Sequence, residues 1–159
     1  MDAIDLKILA LLQEDGGLSN ADIAERVGLS ATPCWRRIRH LEETGVIRRR
    51  VALLDRDRLN VGVTVFVNIR TNQHNPEWLA RFASAVDDIP EVVEFYRMAG
   101  DVDYLLRIVV PDIAAYDGVY KRLIAAIDLY DVSSSFAMEE IKYTTALPLA
   151  YVKDRSSTR

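Results

Sequence analysis

Hydrophobic positions along the chain keep a helical period up to about residue 60 and mix strand and helix periods beyond it, which divides the sequence into two parts. In the first part the period is helical. Ile4, Ile8, Leu11 and Leu12 fall at i, i+4, i+7 and i+8, on one helix face. Asp2 and Asp5 can serve its N-terminus, and Gly16–Gly17 end the run. A second helix opens with Ser19 and Asp22 at capping-box spacing, buries Ile23, Ala24 and Val27, and stops at Gly28. Only Leu29 and Ser30 separate it from a third helix, which starts around Ser30–Pro33 and ends at Gly45. Cys34, Ile38 and Leu41 form the core stripe of that helix. Thr32, Arg36, Arg39 and Glu43 lie opposite, Pro33 and His40 beside them, and Trp35 and Arg37 flank the stripe. A helix, a tight turn and a second helix with a basic outer face make the helix-turn-helix pattern, whose second helix can enter a DNA major groove. "VIRRRVALLD" then reads as a short basic strand, a wing that puts Arg48, Arg49 and Arg50 near phosphates.

Beyond "DRDRLN" the pattern alternates. Val63, Val65, Val67 and Ile69 share one strand face, with Thr64, Phe66, Asn68 and Arg70 on the other. "NPEWLARFASAVDDI" returns to a helical period, burying Trp78, Leu79, Phe82 and Val86. "EVVEFYRM" and "DYLLRIVV" read as a hairpin turning on Ala99-Gly100-Asp101. A helix follows from Pro111 and Asp112, and "YDVSSSFAMEEIKYTTALPL" supplies a last, long strand. The order βαββαβ predicts an α+β fold of ferredoxin-like type, with both helices on one sheet face. The other face needs a cover, and a second copy of the chain is the simplest one. The expected organisation is a winged helix-turn-helix over residues 1–54, a linker at 55–61, a ferredoxin-like domain over 62–152 and a mobile tail at 153–159.

Charge sharpens this division. Residues 1–60 carry ten basic and ten acidic side chains, whereas residues 61–159 carry ten and fourteen. Within residues 26–58 nine basic side chains meet four acidic ones, so a local basic patch sits on a chain of net charge −4. That pattern suits polyanion contact by one face. A solvated helix face is the alternative reading, and would show mixed signs, as Glu42 and Glu43 do. The N-terminal stretch has no basic region typical of a secretory signal, and the longest apolar runs are strand-sized, so a protein of the cytoplasm without a membrane partner is expected. A single cysteine, Cys34, excludes an internal disulfide and a cysteine-based zinc site, and reads as a small buried apolar residue. No glycine-rich phosphate loop is present, His40 and His74 fall in different domains, and Glu139–Glu140 point apart on a strand. No catalytic, metal or cofactor residues are therefore expected.

"IDLKILALLQEDG", "LSATPCWRRIRHLEETGVI", "GDVDYLLRIVVPD" and "MEEIKYTTALPL", in that order and spacing, resemble the Lrp/AsnC (feast/famine) transcriptional regulators over nearly the whole chain. The resemblance implies an N-terminal DNA-binding domain and a C-terminal amino-acid-sensing domain. It also implies dimers that assemble further, often to octamers, with effectors bound near the contacts between dimers. It assigns contacts with double-stranded DNA to Ser30, Thr32, Pro33, Arg36, Arg37, Arg39 and His40, with Arg48, Arg49 and Arg50 on the wing. Arginine suits the task because its fork is bidentate to guanine or phosphate. Trp35 can either pack the helix flank or approach a deoxyribose. Gly100, Asp101 and Asp103 correspond to the effector loop, and Phe136, Ala137 and Met138 to a strand segment lining the same pocket. Without the resemblance, Gly100 supplies a hairpin turn with φ > 0 and the aspartates are solvated turn formers. Arg97 can bind an effector carboxylate or simply point outward from its strand. Siroheme decarboxylases, tetrapyrrole-processing enzymes, share this architecture and are the alternative function. The arginine-rich helix face argues against them.

Overall fold

A computed structural model describes residues 1–152, and the mobile tail expected at 153–159 lies outside the described residues. The chain forms two compact units, one of Met1–Leu53 together with the chain from Lys142 onward, the other of Leu54–Ile141.

The first unit is built on three helices, α1 (Ala3–Glu14), α2 (Asn20–Val27) and α3 (Ala31–Glu43). Asp2 caps α1 by accepting from the Ile4 and Asp5 N–H groups, while the Asp5 carboxylate accepts from the Asp2 N–H. Ser19 and Asp22 form the same reciprocal box on α2, which ends at Gly28 with φ 74°, a left-handed conformation that glycine adopts without strain. Ile8, Leu9, Ile23, Ala24, Val27, Cys34, Ile38 and Leu41 make the core. The three apolar stripes read from the sequence meet there. The expected wing strand does not form, and residues 48–54 are exposed without regular structure. A strand is stabilised by a neighbour's hydrogen bonds, and the described residues of this unit offer no second strand.

Among the described residues, 142–152 group with this unit rather than with residues 54–141. Gln13 Nε2 donates to the Leu147 carbonyl at 3.2 Å and the Leu147 N–H donates to Gln13 Oε1 at 2.7 Å. Leu149, in a short 3₁₀ turn (Leu149–Tyr151), packs against the helical core.

The second unit has the predicted order: β1 (Val63–Arg70), α4 (Pro76–Asp87), β2 (Val92–Arg97), β3 (Tyr104–Val110), α5 (Ile113–Ala126) and β4 (Asp131–Phe136). Its antiparallel sheet runs β2-β3-β1-β4, with Val65 opposite Ile108 and Phe136, and Ile69 opposite Tyr104 and Val132. Val65, Val67, Ile69, Leu106 and Ile108 face α4 and α5, where Trp78, Phe82, Val119 and Leu123 complete the core. Phe82 packs its ring on Trp78, Phe95 and Tyr104, with centroids 4.9–5.4 Å apart. The expected linker is an ordered turn of this unit. Asp55 Oδ1 accepts from the Asp57 and Arg58 N–H groups, and Arg56 bonds Thr64 and Glu140.

The last strand is shorter than the sequence suggests. Phe136 pairs with Val65 and the Ala137 N–H with the Thr64 carbonyl, and β1 itself begins at Val63, so the chain runs out of partner. Past it Met138 and Ile141 stand 98% and 90% exposed. Among the described residues no helix is long and apolar enough to cross a membrane.

Candidate DNA interface and effector loop

α3 is fixed by burial of one stripe, which dictates what the opposite face offers. Cys34 and Leu41 are essentially inaccessible, Ile38 nearly so, and burial pushes the Cys34 thiol up, away from the reactive thiolate. Ser30, Thr32, Pro33, Arg36, Arg39 and His40 are all exposed, as are Arg48, Arg49 and Arg50. Arg36, Arg48 and Arg49 have no hydrogen-bonded or ion-paired partner among the described residues. Arg39 reaches Glu43 at 3.3 Å and lies 5.7 Å over the Trp35 ring, and Arg50 pairs with Glu42 at 3.1 Å. Exposed pairs of this kind are worth little and yield readily to a phosphate. Trp35 itself is 47% exposed, outside the core.

Arg37 departs from the expectation that it faces DNA. It is half-buried and turned toward α1, where its Nη1 donates to Asp2 Oδ2 at 2.8 Å and Asp5 Oδ1 at 2.7 Å. The two carboxylates hold the guanidinium in its charged form. Asp2 is in turn held below the ordinary carboxylate range, first by the Asp5 N–H and then by Arg37. The sequence carried a signal that was not used: aspartates on the first turn of α1 and an arginine beside the α3 stripe can meet where the stripes pack.

In the second unit Gly100 occupies the tip of the β2–β3 hairpin with φ 117°, which supports the turn reading of that residue. The loop is tied to the end of β1. Arg70 Nε donates to the Asp101 carbonyl at 2.7 Å, the Asp103 N–H to the Ile69 carbonyl, and the Thr71 N–H to Asp103 Oδ2 at 2.8 Å. Asp103 thus spends one oxygen on the fold, while Oδ1 stands 3.9 Å from His74 Nδ1. Arg97 is exposed at the strand end facing Tyr104. Phe136, Ala137 and Met138 lie elsewhere. Phe136 pairs with Val65 and stacks edge-on with Tyr116 at 5.3 Å, whereas the hairpin tip follows Ile69. Four residues of β1 separate the two registers, about 13 Å. One chain therefore does not bring together the two groups of residues expected to bind an effector. A separate cleft of about 170 Å³, lined by Gln73, Trp78, Arg81 and the C-terminal end of α5, contains none of them.

Among the described residues the sheet face away from the helices is covered at Thr64, which Arg56 reaches, and open beyond it. Phe66 and Tyr96 are 37% and 49% exposed, with Leu105 and Val109 half-buried beside them. At its centre Arg107 Nη2 meets Glu94 Oε1 at 2.6 Å, a bond that holds Glu94 below its ordinary range against the opposing effect of burial.

The chain is similar to known proteins over both units. The family profile described as the Lrp/AsnC ligand binding domain matches residues 64–147, and one described as winged helix-turn-helix DNA-binding matches residues 1–48. The DNA-binding transcriptional activator DecR of Escherichia coli is 51% identical over 150 residues, 94% of this chain and 99% of that protein. A crystal structure of an AsnC family transcriptional regulator from Agrobacterium tumefaciens is 67% identical with a TM-score of 0.94, covering 96% of this chain and 100% of that one. A transcriptional regulator from Neisseria meningitidis, solved as an L-Met complex, is 38% identical with a TM-score of 0.89, covering 94% and 97%. These matches are to transcription regulators, and they leave the tetrapyrrole-processing alternative without support. The chain belongs to the Lrp/AsnC family of transcriptional regulators, with a helix-turn-helix for DNA and a distinct ligand-binding domain.

Proposed function

We propose that this regulator works in the cytoplasm as a homodimer that assembles further, to an octamer, and that its DNA affinity changes when an amino acid binds the second unit. The observation that carries the DNA half is the face of α3, where Arg36 is exposed and unpaired directly across the helix from a fully buried stripe. Ser30, Thr32, Pro33, Arg36, Arg39 and His40 supply contacts to bases and phosphates. Arg48, Arg49 and Arg50, on the exposed segment after α3, add phosphate contacts. Two such helices in a dimer address half-sites one helical turn, or a multiple, apart.

Dimerisation covers the open sheet face around Phe66, Leu105 and Tyr96, whose apolar character suits a second copy of itself. The effector site is completed between chains, since the Gly100 loop and the Phe136–Met138 segment are separated within one chain. Turn N–H groups around Gly100 hold an α-carboxylate, Asp101 and Oδ1 of Asp103 face an α-ammonium, and Phe136 with Met138 encloses an apolar side chain. The L-Met complex of the Neisseria relative supports an amino-acid effector. Binding shifts DNA affinity through different affinities for alternative assemblies.

A thermal-shift screen of the twenty amino acids, followed by DNA binding with and without the strongest hit, tests this reading. At least one amino acid should raise the melting temperature in a concentration-dependent way and change DNA affinity. No shift with any of them would overturn the sensing half.

A further inference from the structure

α3 rests on its core through a narrow stripe: Cys34, Ile38 and Leu41 lie within about 60° of one another at 100° per residue. Burial of such a stripe selects which face of α3 turns outward, but apolar contact is non-directional and leaves the finer rotation about the helix axis to directional contacts. Rotation decides where Arg36 and Arg39 point. The ion cluster on Arg37 supplies what the stripe lacks. Each of the two carboxylates divides its oxygens between two tasks. Asp2 uses Oδ1 to cap α1 and Oδ2 to accept from Arg37; Asp5 uses Oδ2 to close the capping box and Oδ1 to accept from Arg37. The acceptors are therefore held in place by their own helix before Arg37 arrives, and the Asp5 side chain is only 14% exposed. Arg37 adjoins Arg36 in sequence, about 100° around the helix, so fixing one fixes the direction of the other. Swinging Arg37 to a phosphate would break two charge-assisted bonds and leave two unpaired carboxylates beside DNA.

We propose that Arg37 is a positioning residue for DNA recognition: it locks the rotation of α3 through the α1 capping box and makes no contact with DNA itself. The inference rests on α3 being the reading helix, and Arg36→Ala tests that premise separately.

The discriminating variant removes negative charge. Asp2→Asn with Asp5→Asn keeps side-chain acceptors for the capping box and abolishes the ion cluster. The full-length protein and its variants are titrated, at several salt concentrations, against a duplex selected by the wild type from a random pool and against random duplex of equal length. If Arg37 positions α3, the double Asn variant loses about tenfold or more of its affinity for the selected duplex, although the protein has become less acidic. Affinity for random duplex holds or rises. Arg37→Gln gives the same loss of discrimination with an unchanged salt slope, whereas Arg36→Ala lowers the slope by about 0.9 for each phosphate contact removed. Tighter binding of the selected duplex by the double Asn variant, or a reduced salt slope in Arg37→Gln, would make Arg37 a DNA contact and overturn the proposal. So would normal discrimination in a double Asn variant that merely melts at lower temperature, since that is a purely structural role. If Arg37→Gln fails to fold, the double Asn variant decides alone. Unchanged binding and slope in Arg36→Ala would remove α3 as the reader and the proposal with it.

Discussion

The two units of this chain differ in how much of their function one copy contains. The DNA-facing side of α3 is complete in a single chain: its stripe is buried, Arg36 is free, and Arg37 is anchored to α1. The second unit is folded but unfinished. Its residues of effector-loop type sit at opposite ends of β1, its sheet has a bare face bearing Phe66 and Tyr96, and the chain after Ala137 has lost its strand partner. A reader of DNA can be a rigid protruding edge, whereas a sensor that controls assembly gains from having its pocket depend on assembly. The difference is therefore one of design as well as of packing.

Cutting the sensor's core should separate the two units most strongly. Phe82→Ala removes the ring at the centre of the aromatic cluster, and loss of a buried phenylalanine costs about 3–5 kcal/mol. Hydrogen exchange should show lost protection in β1 and β3 while the Ile38 and Leu41 amides in α3 stay protected. Equal loss in both would mean that the units share one cooperative core.

A smaller effect is expected on the bare sheet face. Phe66→Asp, at a side chain already 37% exposed, should leave the monomer folded and weaken dimerisation by about 2 kcal/mol or more. Sedimentation would read this as a shift toward monomer, and an unchanged association state would place the dimer contact elsewhere.

The smallest effect is the pH dependence of the Glu94–Arg107 pair. Glu94 is held below its ordinary value of 4.5, first by the Arg107 hydrogen bond. A depressed carboxylate contributes stability that is fully present above the ordinary value and is lost as pH falls through the lowered one. Wild type and Glu94→Gln should therefore show a constant difference in urea stability at neutral pH, narrowing only below about pH 4.5. A difference that changes between pH 6 and 8 would assign it to another group.

Periodicity found α1 to α5 and the βαββαβ order, because each element buries one face against the core of its own unit and the stripe is written in the residues. The capping boxes at Asp2 and Ser19 were equally plain, being local in sequence. What failed was non-local. The last strand is shorter than the sequence suggests because its length is set by where β1 begins. The wing was read as a strand from composition, but strand formation depends on a neighbour. Arg37 flanks the α3 stripe and the resemblance assigns it to DNA; its bonds to Asp2 and Asp5 emerge only from the packing of α3 on α1. Gln13 and Leu147, 134 residues apart, left no trace in the pattern.

The central claim, that the exposed face of α3 is built within one chain while the proposed effector site is shared between chains, can be tested by complementation. Chains carrying Gly100→Val and chains carrying Phe136→Asp would each be purified, then unfolded, mixed and refolded into joint assemblies. Binding of the amino acid giving the largest thermal shift is then measured by calorimetry. Neither variant alone should bind, and the mixed assemblies should recover a fraction of the wild-type sites, because some pockets draw an intact loop from one chain and an intact strand end from another. Mixed assemblies with no recovered sites, or full binding by either variant alone, would contradict it.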